Sequence, residues 1–351
     1  KNHKMKIGFF IDGDWEVGGI FQQKKENINK IIKYSSKKDE LIIIVKSKKI
    51  SQSLNKESIK HIYFKDSFLK RIFLFLSTFD FFQFFFTKFK ISNPFEKFLK
   101  KNQIDLLVFN SPSNYVFYAR NIHYVINIWN TEIKNYNFFP EFIKNASFKK
   151  QDLIIKEAVL YSFKIIVFSK DNIKDLQILY NCPQKKITTQ IIFPYLPTIY
   201  EKDREKIDNI SIDSLDLKPG TNLFLYPAQF YAHKNHKYLI EVAANIKDKT
   251  EKEFLFIFTG IDKGNLSYLK KITNEHNLNN KIKFFENLEN EYLIKIYLLC
   301  DAVISSTYIG KLSLPLLEAF YFKKPIFYSK NILDSDIEKR TNIFDLKNVD
   351  D

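Results

Sequence analysis

The stretch from Ala302 to Tyr328 reads AVISSTYIGKLSLPLLEAFYFKKPIFY and predicts a strand, a loop, a helix and a second strand. Ala302–Ser305 and Pro325–Tyr328 are short apolar runs, as in buried strands of a parallel sheet. Leu314–Tyr321 carries its proline in the first turn, where a helix tolerates it. A strand–helix–strand order of this kind is the unit from which parallel α/β sheets are built.

The same alternation extends along the chain on both sides of this stretch, interrupted by the polar, charge-dense residues Tyr200–Gly220. We therefore expect an α/β protein with two doubly wound, Rossmann-like domains facing each other across a cleft. The expected domains are residues 1–200 and 221–351, with residues 201–220 as a linker. The other predicted strands are Lys6–Ile11, Leu41–Val45, Ile104–Phe109, Tyr124–Trp129, Lys164–Phe168, Asn222–Tyr226, Glu253–Thr259 and Lys281–Phe285. The other predicted helices are Gly19–Tyr34, Asp152–Phe163, Lys170–Tyr180, Asn235–Ile246, Asn265–Asn277 and Asn290–Cys300.

Composition supports a folded protein of this size. The 351 residues are enough for two ordinary domains, and 45% hydrophobic with 27% charged residues excludes wholesale disorder. Cys182 and Cys300 are the only cysteines, which excludes a disulfide framework or a cysteine-based zinc cluster. We expect a reducing compartment, hence a cytoplasmic protein.

The positive charge is confined to the first half of the chain. Residues 1–200 contain 33 basic and 17 acidic residues, a net charge of +16, whereas residues 201–351 carry a net charge of −1. Two explanations remain open: lysine-rich solvated faces without a specific partner, or a basic face for a polyanion. Because no nucleic-acid-binding module is recognisable, we expect no nucleic acid partner and favour anionic lipid headgroups.

One segment, Phe68–Phe86, is rich in phenylalanine and reads FLKRIFLFLSTFDFFQFFF. Lys70, Arg71 and Asp80 interrupt it, so it is a poor membrane-spanning helix. The favoured interpretation is a core helix that covers a sheet. The alternative is an amphipathic segment lying at a membrane interface.

The loop after the first predicted strand, Asp12–Gly19, contains paired glycines. Gly18 and Gly19 precede a predicted helix, so backbone amides there can approach a phosphate or a sugar hydroxyl. The spacing is not that of the dinucleotide-binding fingerprint. Asp12 and Asp14 form a D-x-D pattern, which is too common to indicate a metal site, and we expect none.

Two strand-to-helix loops of the second half carry the strongest signals. Lys234 lies between a strand end and a helix start, where its ammonium can meet a diphosphate. In the later loop Ser313 is a predicted N-cap, and the amides near Ser313 and Leu314 can bind an anion. Glu318, about one turn into that helix, can accept two hydroxyl hydrogen bonds from a ribose. The alternatives are an exposed lysine and an ordinary helix cap.

These residues resemble a known family. Tyr226–Asn235, Phe258–Gly260 and Ala302–Pro325 are similar to the retaining, family-4-like glycosyltransferases of the GT-B fold that build bacterial surface polysaccharides. The resemblance covers residues 220–330 well and the first half more loosely. It also implies helices beyond residue 351, so the second domain is expected to be truncated.

The resemblance implies roles for individual residues. Lys234 would contact the donor diphosphate, and Glu318 would bind the nucleotide ribose; both are the expected catalytic residues. Asn110, Asn130 and Glu132 lie where an acceptor is expected. The full set of expected donor-binding residues is Gly18, Gly19, Gln229, Lys234, Asn235, Gly260, Tyr308, Ile309, Gly310, Ser313, Leu314 and Glu318.

Four positions depart from the family pattern. A glutamate is replaced by Gly310, an arginine by Gln229, an acceptor-side histidine by Ile133, and a glycine by Ser313. The expected function is transfer of a sugar from a nucleotide-sugar donor to a cell-surface glycan or lipid-linked acceptor, with retention and without metal or cofactor. The alternative is a degenerate GT-B protein that binds a nucleotide or glycan. The expected location is the cytoplasm, with peripheral contact of the basic half to the inner membrane.

Overall fold

The computed structural model describes residues 4–12, 39–56, 58–65, 67–76, 79–89, 91–144, 147–190, 194–310, 313–330 and 341–346. These residues form two compact units, each built on one parallel sheet. The N-terminal unit contains the described residues up to 134 and residues 147–190. The C-terminal unit contains residues 135–144 and the described residues from 194 onward.

The N-terminal unit has a seven-stranded parallel sheet in the order β3-β2-β1-β4-β5-β6-β7. The order reverses between β1 and β4, so the ends of these two strands form the switch point at which such sheets bind ligands. The strands are β1 Lys6–Ile11, β2 Glu40–Val45, β3 His61–Tyr63, β4 Leu106–Phe109, β5 Tyr124–Asn127, β6 Lys164–Val167 and β7 Ile187–Thr189. The helices are α1 Lys48–Lys56, α2 Phe68–Leu76, α3 Asp80–Lys88, α4 Pro94–Lys101, α6 Ser147–Tyr161 and α7 Lys170–Tyr180.

Aromatic packing under α4 holds one face of this sheet. Phe10 of β1 contacts the rings of Phe95 and Tyr115, with centroids 5.2 Å and 5.0 Å away. Asn93 caps α4 by accepting hydrogen bonds from the Phe95 and Glu96 amides. The cap and the buried Phe95 together fix the helix against the sheet.

The C-terminal unit has a six-stranded parallel sheet in the order β10-β9-β8-β11-β12-β13. Its switch point lies between β8 and β11. The strands are β8 Asn222–Pro227, β9 Phe254–Thr259, β10 Ile282–Phe285, β11 Ala302–Ser305, β12 Ile326–Ser329 and β13 Asn342–Phe344. The helices are α5 Pro140–Ile143, α8 Leu196–Asp208, α9 His236–Ile246, α10 Leu266–Glu275, α11 Asn290–Leu299 and α12 Leu314–Tyr321.

The predicted alternation of strands and helices is confirmed wherever the residues are described. All six residues of β9 are buried, as the uninterrupted apolar run predicts for an inner parallel strand. The predicted helix Gly19–Tyr34 lies outside the described residues. The sequence did not indicate β3, β7 and β13, which have three residues each and lie at sheet edges. Three residues are too few to show a period.

Part of the predicted linker is a helix. Residues 201–208 belong to α8, and Leu196 and Ile207 of this helix are fully buried. Both side chains share a hydrophobic cluster with Ile294 and Tyr297 of α11. Packing of these apolar residues makes the charged stretch helical, although its composition is typical of a loop.

The Phe-rich segment forms two short helices, α2 and α3, and its side chains are mostly exposed. We call residues 68–89 the aromatic segment; Phe68, Phe75, Phe81 and Phe84 in it are at least 60% exposed. The prediction of a core helix covering the sheet is therefore wrong. None of the helices in the described part of the chain is both long and apolar enough to span a membrane.

Candidate active site

Two loops meet at the switch point of the C-terminal sheet. The lysine loop (residues 228–235) follows β8, and the glycine loop (residues 306–310) follows β11, the neighbouring strand. The amide of Tyr308 donates a 2.9 Å hydrogen bond to the carbonyl of His233. The Oγ of Ser306 donates a 2.8 Å bond to the carbonyl of Asn235. The topology therefore brings together the two loops that the sequence singled out.

The backbone around Lys234 is held in a fixed conformation. Ala232–Lys234 forms a single 3₁₀ turn, and Asn235 follows in the left-handed region with φ +52°. The Tyr226 hydroxyl donates a 2.7 Å hydrogen bond to the Lys234 carbonyl. Asn235 is the residue before α9 but its side chain makes no capping bond. Its role in the described fold is to turn the chain, which asparagine does at little cost in the left-handed region.

Gly310, which has no side chain, lies close to the ammonium of Lys234. Its φ is +113°, a conformation that side-chain-bearing residues rarely adopt. A Cβ built on Gly310 would lie 4.0 Å from the Lys234 Nζ. The neighbouring Ile309 is 2% exposed, whereas Tyr308 is only partly buried. Lys234, Asn235, Tyr308 and Gly310 therefore lie in one neighbourhood, and Ile309 belongs to the core beneath it.

Glu318 of α12 is a buried carboxylate with a neutral partner. It is 3% exposed, and the Tyr297 hydroxyl of α11 donates a 2.7 Å hydrogen bond to its Oε2. Burial raises the pKa of Glu318 to about 7, against the smaller lowering effect of the Tyr297 bond. The carboxyl group is therefore poised between its neutral and ionised forms near neutral pH.

The start of α12 differs from the expectation for Ser313. Ser313 occupies the N-cap position with an extended backbone, but its side chain makes no capping hydrogen bond. Its Oγ lies 3.2 Å from the Tyr328 hydroxyl, which is also 3.1 Å from the Gly310 carbonyl. Pro315 is in the first turn as predicted, and Leu314 is the first residue of the helix. Tyr328 therefore links the helix start to the glycine loop.

A second carboxylate, the partly buried Glu141, contacts the lysine loop from the 135–144 segment. Its Oε1 accepts a 3.0 Å hydrogen bond from the His233 amide and another from His233 Nδ1. Burial alone would raise the pKa of Glu141, but the hydrogen bonds from His233 lower it below the usual value. Burial lowers the pKa of His233, so the pair is an ionised carboxylate beside a neutral imidazole that donates from Nδ1.

Aromatic rings complete this contact. Phe142 stacks on the His233 ring with centroids 5.5 Å apart, and Phe139 lies 5.5 Å from the Tyr308 ring. The 135–144 segment thus touches both the lysine loop and the glycine loop. Because His233 directly precedes Lys234, these contacts fix the residue next to the candidate catalytic lysine.

Gly260 has a packing role. A Cβ there would lie 2.4 Å from the Ala228 carbonyl oxygen and 2.7 Å from the Gln229 Cα, which is sterically impossible without a backbone shift. The Phe230 amide also donates to the Ile261 carbonyl at 3.1 Å. The loops after β8 and β9 therefore approach closely only because residue 260 is glycine. Gln229 is partly buried in the same loop.

Comparison with known proteins gives a family match for this region. Residues 208–338 match the sequence profile of the family described as glycosyl transferases group 1. A search of curated proteins with the whole chain found no match.

Solved structures show that the similarity of fold extends over the whole chain. A glycosyltransferase from Rickettsia africae is 17% identical and matches 99% of this chain and 85% of its own, with a TM-score of 0.66. HepE from Anabaena in complex with UDP-glucose is 14% identical, with coverages of 97% and 85% and a TM-score of 0.65. WaaG, a glycosyltransferase involved in lipopolysaccharide biosynthesis, is 13% identical, with coverages of 98% and 88% and a TM-score of 0.64. The predicted fold class, two Rossmann-like domains of the GT-B type, is confirmed.

The predicted site residues that precede residue 208 lie in the N-terminal unit or outside the described residues. Gly18 and Gly19 lie outside the described residues. Asp12, at the end of β1, is engaged by Lys46, with Nζ and Oδ1 3.0 Å apart, and by the Ser113 hydroxyl at 2.6 Å. Its charge is therefore compensated within the N-terminal unit. Among the residues that the structure describes, no group of three or more candidate ligands is arranged around a metal position.

The predicted acceptor-side residues differ in their exposure. Asn110 is 1% exposed at the end of β4, and its Oδ1 lies 3.4 Å from the Asn127 amide nitrogen. Asn130 is exposed. Glu132 begins a 3₁₀ turn, Glu132–Asn135, and its side chain lies outside the described atoms. Ile133, at the position of the family's histidine, is 3% exposed and part of the core.

Two features of the site escaped the sequence reasoning. Tyr297 carries no motif, and its contact with Glu318 depends on the packing of α11 beside α12. Glu141 lies in the run Phe139–Phe142, to which the sequence analysis assigned no role. An acid between Pro140 and Phe142 in an aromatic run was the available signal, since an acid with little exposure needs a partner.

Proposed function

We propose that the protein transfers a sugar from a nucleotide-sugar donor to a cell-surface glycan or lipid-linked acceptor, with retention of the anomeric configuration. The observation that carries the proposal is the position of Lys234. Its ammonium lies beside the bare backbone of Gly310, at the carboxyl edge of the sheet where ligands of such folds bind. The HepE structure, which has the same fold, holds UDP-glucose.

Lys234 would stabilise the departing diphosphate. A fixed cation next to the leaving group lowers the barrier because it needs no reorganisation as negative charge develops. The hydrogen bonds from Tyr226 and Ser306 to the Lys234 carbonyl fix the backbone that carries this cation. The glycine loop places the backbone of Gly310 close to the ammonium. The acceptor hydroxyl would then attack the anomeric carbon from the face that the diphosphate leaves and would give its proton to a departing phosphate oxygen.

Glu318 would bind the ribose of the donor. Its ionised carboxylate can accept bonds from two hydroxyl groups, which is the usual recognition of a ribose diol. Since its pKa is near 7, donor binding would favour the ionised form and release a proton. We propose that the reaction needs no metal or cofactor, because Lys234 and helix amides supply the positive charge.

The second candidate function is a degenerate GT-B protein that binds a nucleotide or glycan without transfer. It is favoured by two observations. Gly310 stands where the family carries a carboxylate, and its φ leaves no unstrained place for one. Ile133 stands where the family carries a histidine, and it is buried.

Turnover and binding separate the two functions. The parent protein, Lys234→Ala and Glu318→Ala would be incubated with a panel of nucleotide sugars, with and without EDTA, while nucleotide binding is followed by calorimetry. Lys237→Ala is the matched control, because Lys237 is an exposed lysine on α9 that pairs with Glu241. We expect EDTA-resistant turnover that falls by roughly 100-fold or more in Lys234→Ala and is unchanged in Lys237→Ala. Nucleotide binding without turnover in the parent would favour the second function. If the parent shows neither turnover nor nucleotide binding, both functions are refuted.

The place of action is also a proposal. A lipid-linked acceptor would be met at the cytoplasmic face of the inner membrane, and the basic residues 1–200 suit contact with anionic lipids. The donor and acceptor, rather than a nucleic acid, are the proposed partners.

A further inference from the structure

The aromatic segment (residues 68–89) is an exposed apolar surface on the N-terminal unit. Within α2, Phe68 and Leu69 are 76% and 77% exposed, and within α3, Phe81 and Phe84 are 67% and 64% exposed. Leu74 is the one residue of α2 that is buried. The large apolar side chains of this region that are at least 40% exposed are Phe68, Leu69, Ile72, Phe75, Phe79, Phe81, Phe84, Phe85, Phe89 and Ile91.

The neighbouring helix α4 shows how the segment differs from a helix that covers the sheet. In α4, only a few residues further along, Phe95 and Leu99 are fully buried against the sheet. The exposed rings instead contact one another: Phe81 and Phe85 have centroids 5.1 Å apart, and Phe85 and Phe89 5.9 Å. A contiguous apolar surface of this kind marks an interaction site on a folded protein.

Basic residues outnumber acidic ones in the sequence around the exposed rings. Residues 60–101 contain nine lysines or arginines and three acids, and one of the acids, Glu96, is buried and bonded to Asn121. The Lys88 ammonium lies 5.9 Å from the Phe84 ring, on the same helix. An excess of positive charge near exposed aromatic side chains is complementary to a surface that is negatively charged outside and apolar inside.

The dimensions of the helices decide how they would meet a membrane. Each of α2 and α3 has nine residues, a length of about 14 Å at 1.5 Å per residue. The hydrocarbon core of a bilayer is about 30 Å thick, so neither helix can cross it. Two short helices with aromatic faces and lysines can lie in the interface with their rings among the acyl chains.

We propose that the aromatic segment inserts into the interface of an anionic bilayer and holds the N-terminal unit on it. This proposal deepens the proposed function, because a lipid-linked acceptor would be presented at the same surface. Binding to the bilayer itself needs no sugar transfer, so the two proposals can fail separately. Phe81 and Phe84 are the expected insertion residues, and Lys70, Arg71 and Lys88 the expected headgroup contacts.

The test is sedimentation of the full chain with vesicles of phosphatidylcholine alone or mixed with phosphatidylglycerol, at low and high salt. We expect binding to the mixed vesicles that weakens with salt, because exposed charges are screened. The double variant Phe81→Ser/Phe84→Ser should lose roughly tenfold or more of this binding. The matched control is Phe163→Ser/Ile178→Ser, which removes side chains that are 61% and 80% exposed at other places of the same unit.

A fluorescent probe locates the contact. Cys182 and Cys300 are both buried, so the thiol introduced by Phe81→Cys can be labelled selectively with a polarity-sensitive dye. We expect a blue shift on addition of the mixed vesicles, whereas a dye attached through Ile178→Cys should not shift.

Several results would overturn the proposal. One is that the parent binds neither kind of vesicle, and another is that the control variant loses as much binding as Phe81→Ser/Phe84→Ser. A third is that the parent does not bind vesicles but elutes as a dimer, whereas Phe81→Ser/Phe84→Ser elutes as a monomer. Nucleotide binding should be equal in the parent and this variant. Vesicle binding without any turnover would leave the membrane contact intact and refute only the transferase function.

Discussion

Glu318 and Glu141 are both carboxylates of the C-terminal unit, but their pKa values are shifted in opposite directions. Glu318 lies beside a neutral tyrosine hydroxyl, and burial raises its pKa to about 7. Glu141 accepts two hydrogen bonds from His233, one from the backbone amide and one from the ring, and its pKa is lowered despite burial.

The difference has two causes, the smaller burial of Glu141 and its larger number of hydrogen-bond donors. Two donors from one residue offset the cost of desolvation at Glu141, whereas a single hydroxyl donor at Glu318 does not. Glu141 is therefore suited to hold the lysine loop in place at all physiological pH values. Glu318 is suited to respond to a ligand that brings further hydroxyl donors.

The largest expected effect is on stability in Glu318→Gln. The folded-state pKa of about 7 lies above the usual 4.5, so the parent loses stability as the pH rises from about 4.5 to 7. The total loss is about 3 kcal/mol at 1.36 kcal/mol per pH unit. Glutamine keeps an oxygen for Tyr297 but cannot ionise. In urea unfolding at pH 5 to 8, the free energy of unfolding of the variant relative to that of the parent should rise by about 2 kcal/mol toward pH 8. Nucleotide binding by the variant should be weaker than that by the parent.

A difference in unfolding free energy between Glu318→Gln and the parent that does not change with pH would contradict the raised pKa of Glu318. An unchanged nucleotide affinity in Glu318→Gln would contradict the ribose role but not the raised pKa.

Glu141→Gln should act on both stability and donor affinity. The amide is a weaker acceptor than a carboxylate, and hydrogen bonds to charged groups are worth about 2 kcal/mol. We expect a loss of that order in unfolding experiments and a several-fold rise in the KM for the donor, because the residue before Lys234 loses its anchor.

Glu96→Gln is the matched control for this change. Glu96 is a buried carboxylate, bonded to the Asn121 amide and side chain in the N-terminal unit. It should cost stability without changing the KM for the donor. A change in the KM that is equal in both variants would remove the special role of Glu141.

The smallest expected effect is a shift in the pH dependence of donor binding. Affinity in the parent should fall as the pH drops below about 7, because protonated Glu318 accepts hydroxyl bonds less well. Tyr297→Phe removes the bond that lowers the pKa of Glu318, so the midpoint should move up by about one pH unit. Calorimetric titration at pH 6 to 9 measures it. Tyr292→Phe, on the same helix, should leave the midpoint where it is.

The sequence predicted the strand and helix order well, because long apolar runs such as Phe254–Thr259 leave little choice of structure. It also indicated Lys234 and Glu318, since both stand at fixed offsets from a strand end. It did not predict that Glu318 is held by Tyr297, or that Glu141 contacts His233, because these partners are 21 and 92 residues apart in the chain. Contacts over such separations depend on how the elements pack.

The aromatic segment gives the clearest division between sequence and tertiary structure. Its interruption by charged residues argued against a spanning helix, and its composition fitted both a buried helix, the favoured interpretation, and an interfacial helix. Only the fold decides which rings have a neighbour: α4 covers the sheet with Phe95 and Leu99, and α2 and α3 leave their rings exposed. The sequence determined which residues are apolar, whereas the packing of the helices on the sheet determined which of these residues are exposed to water.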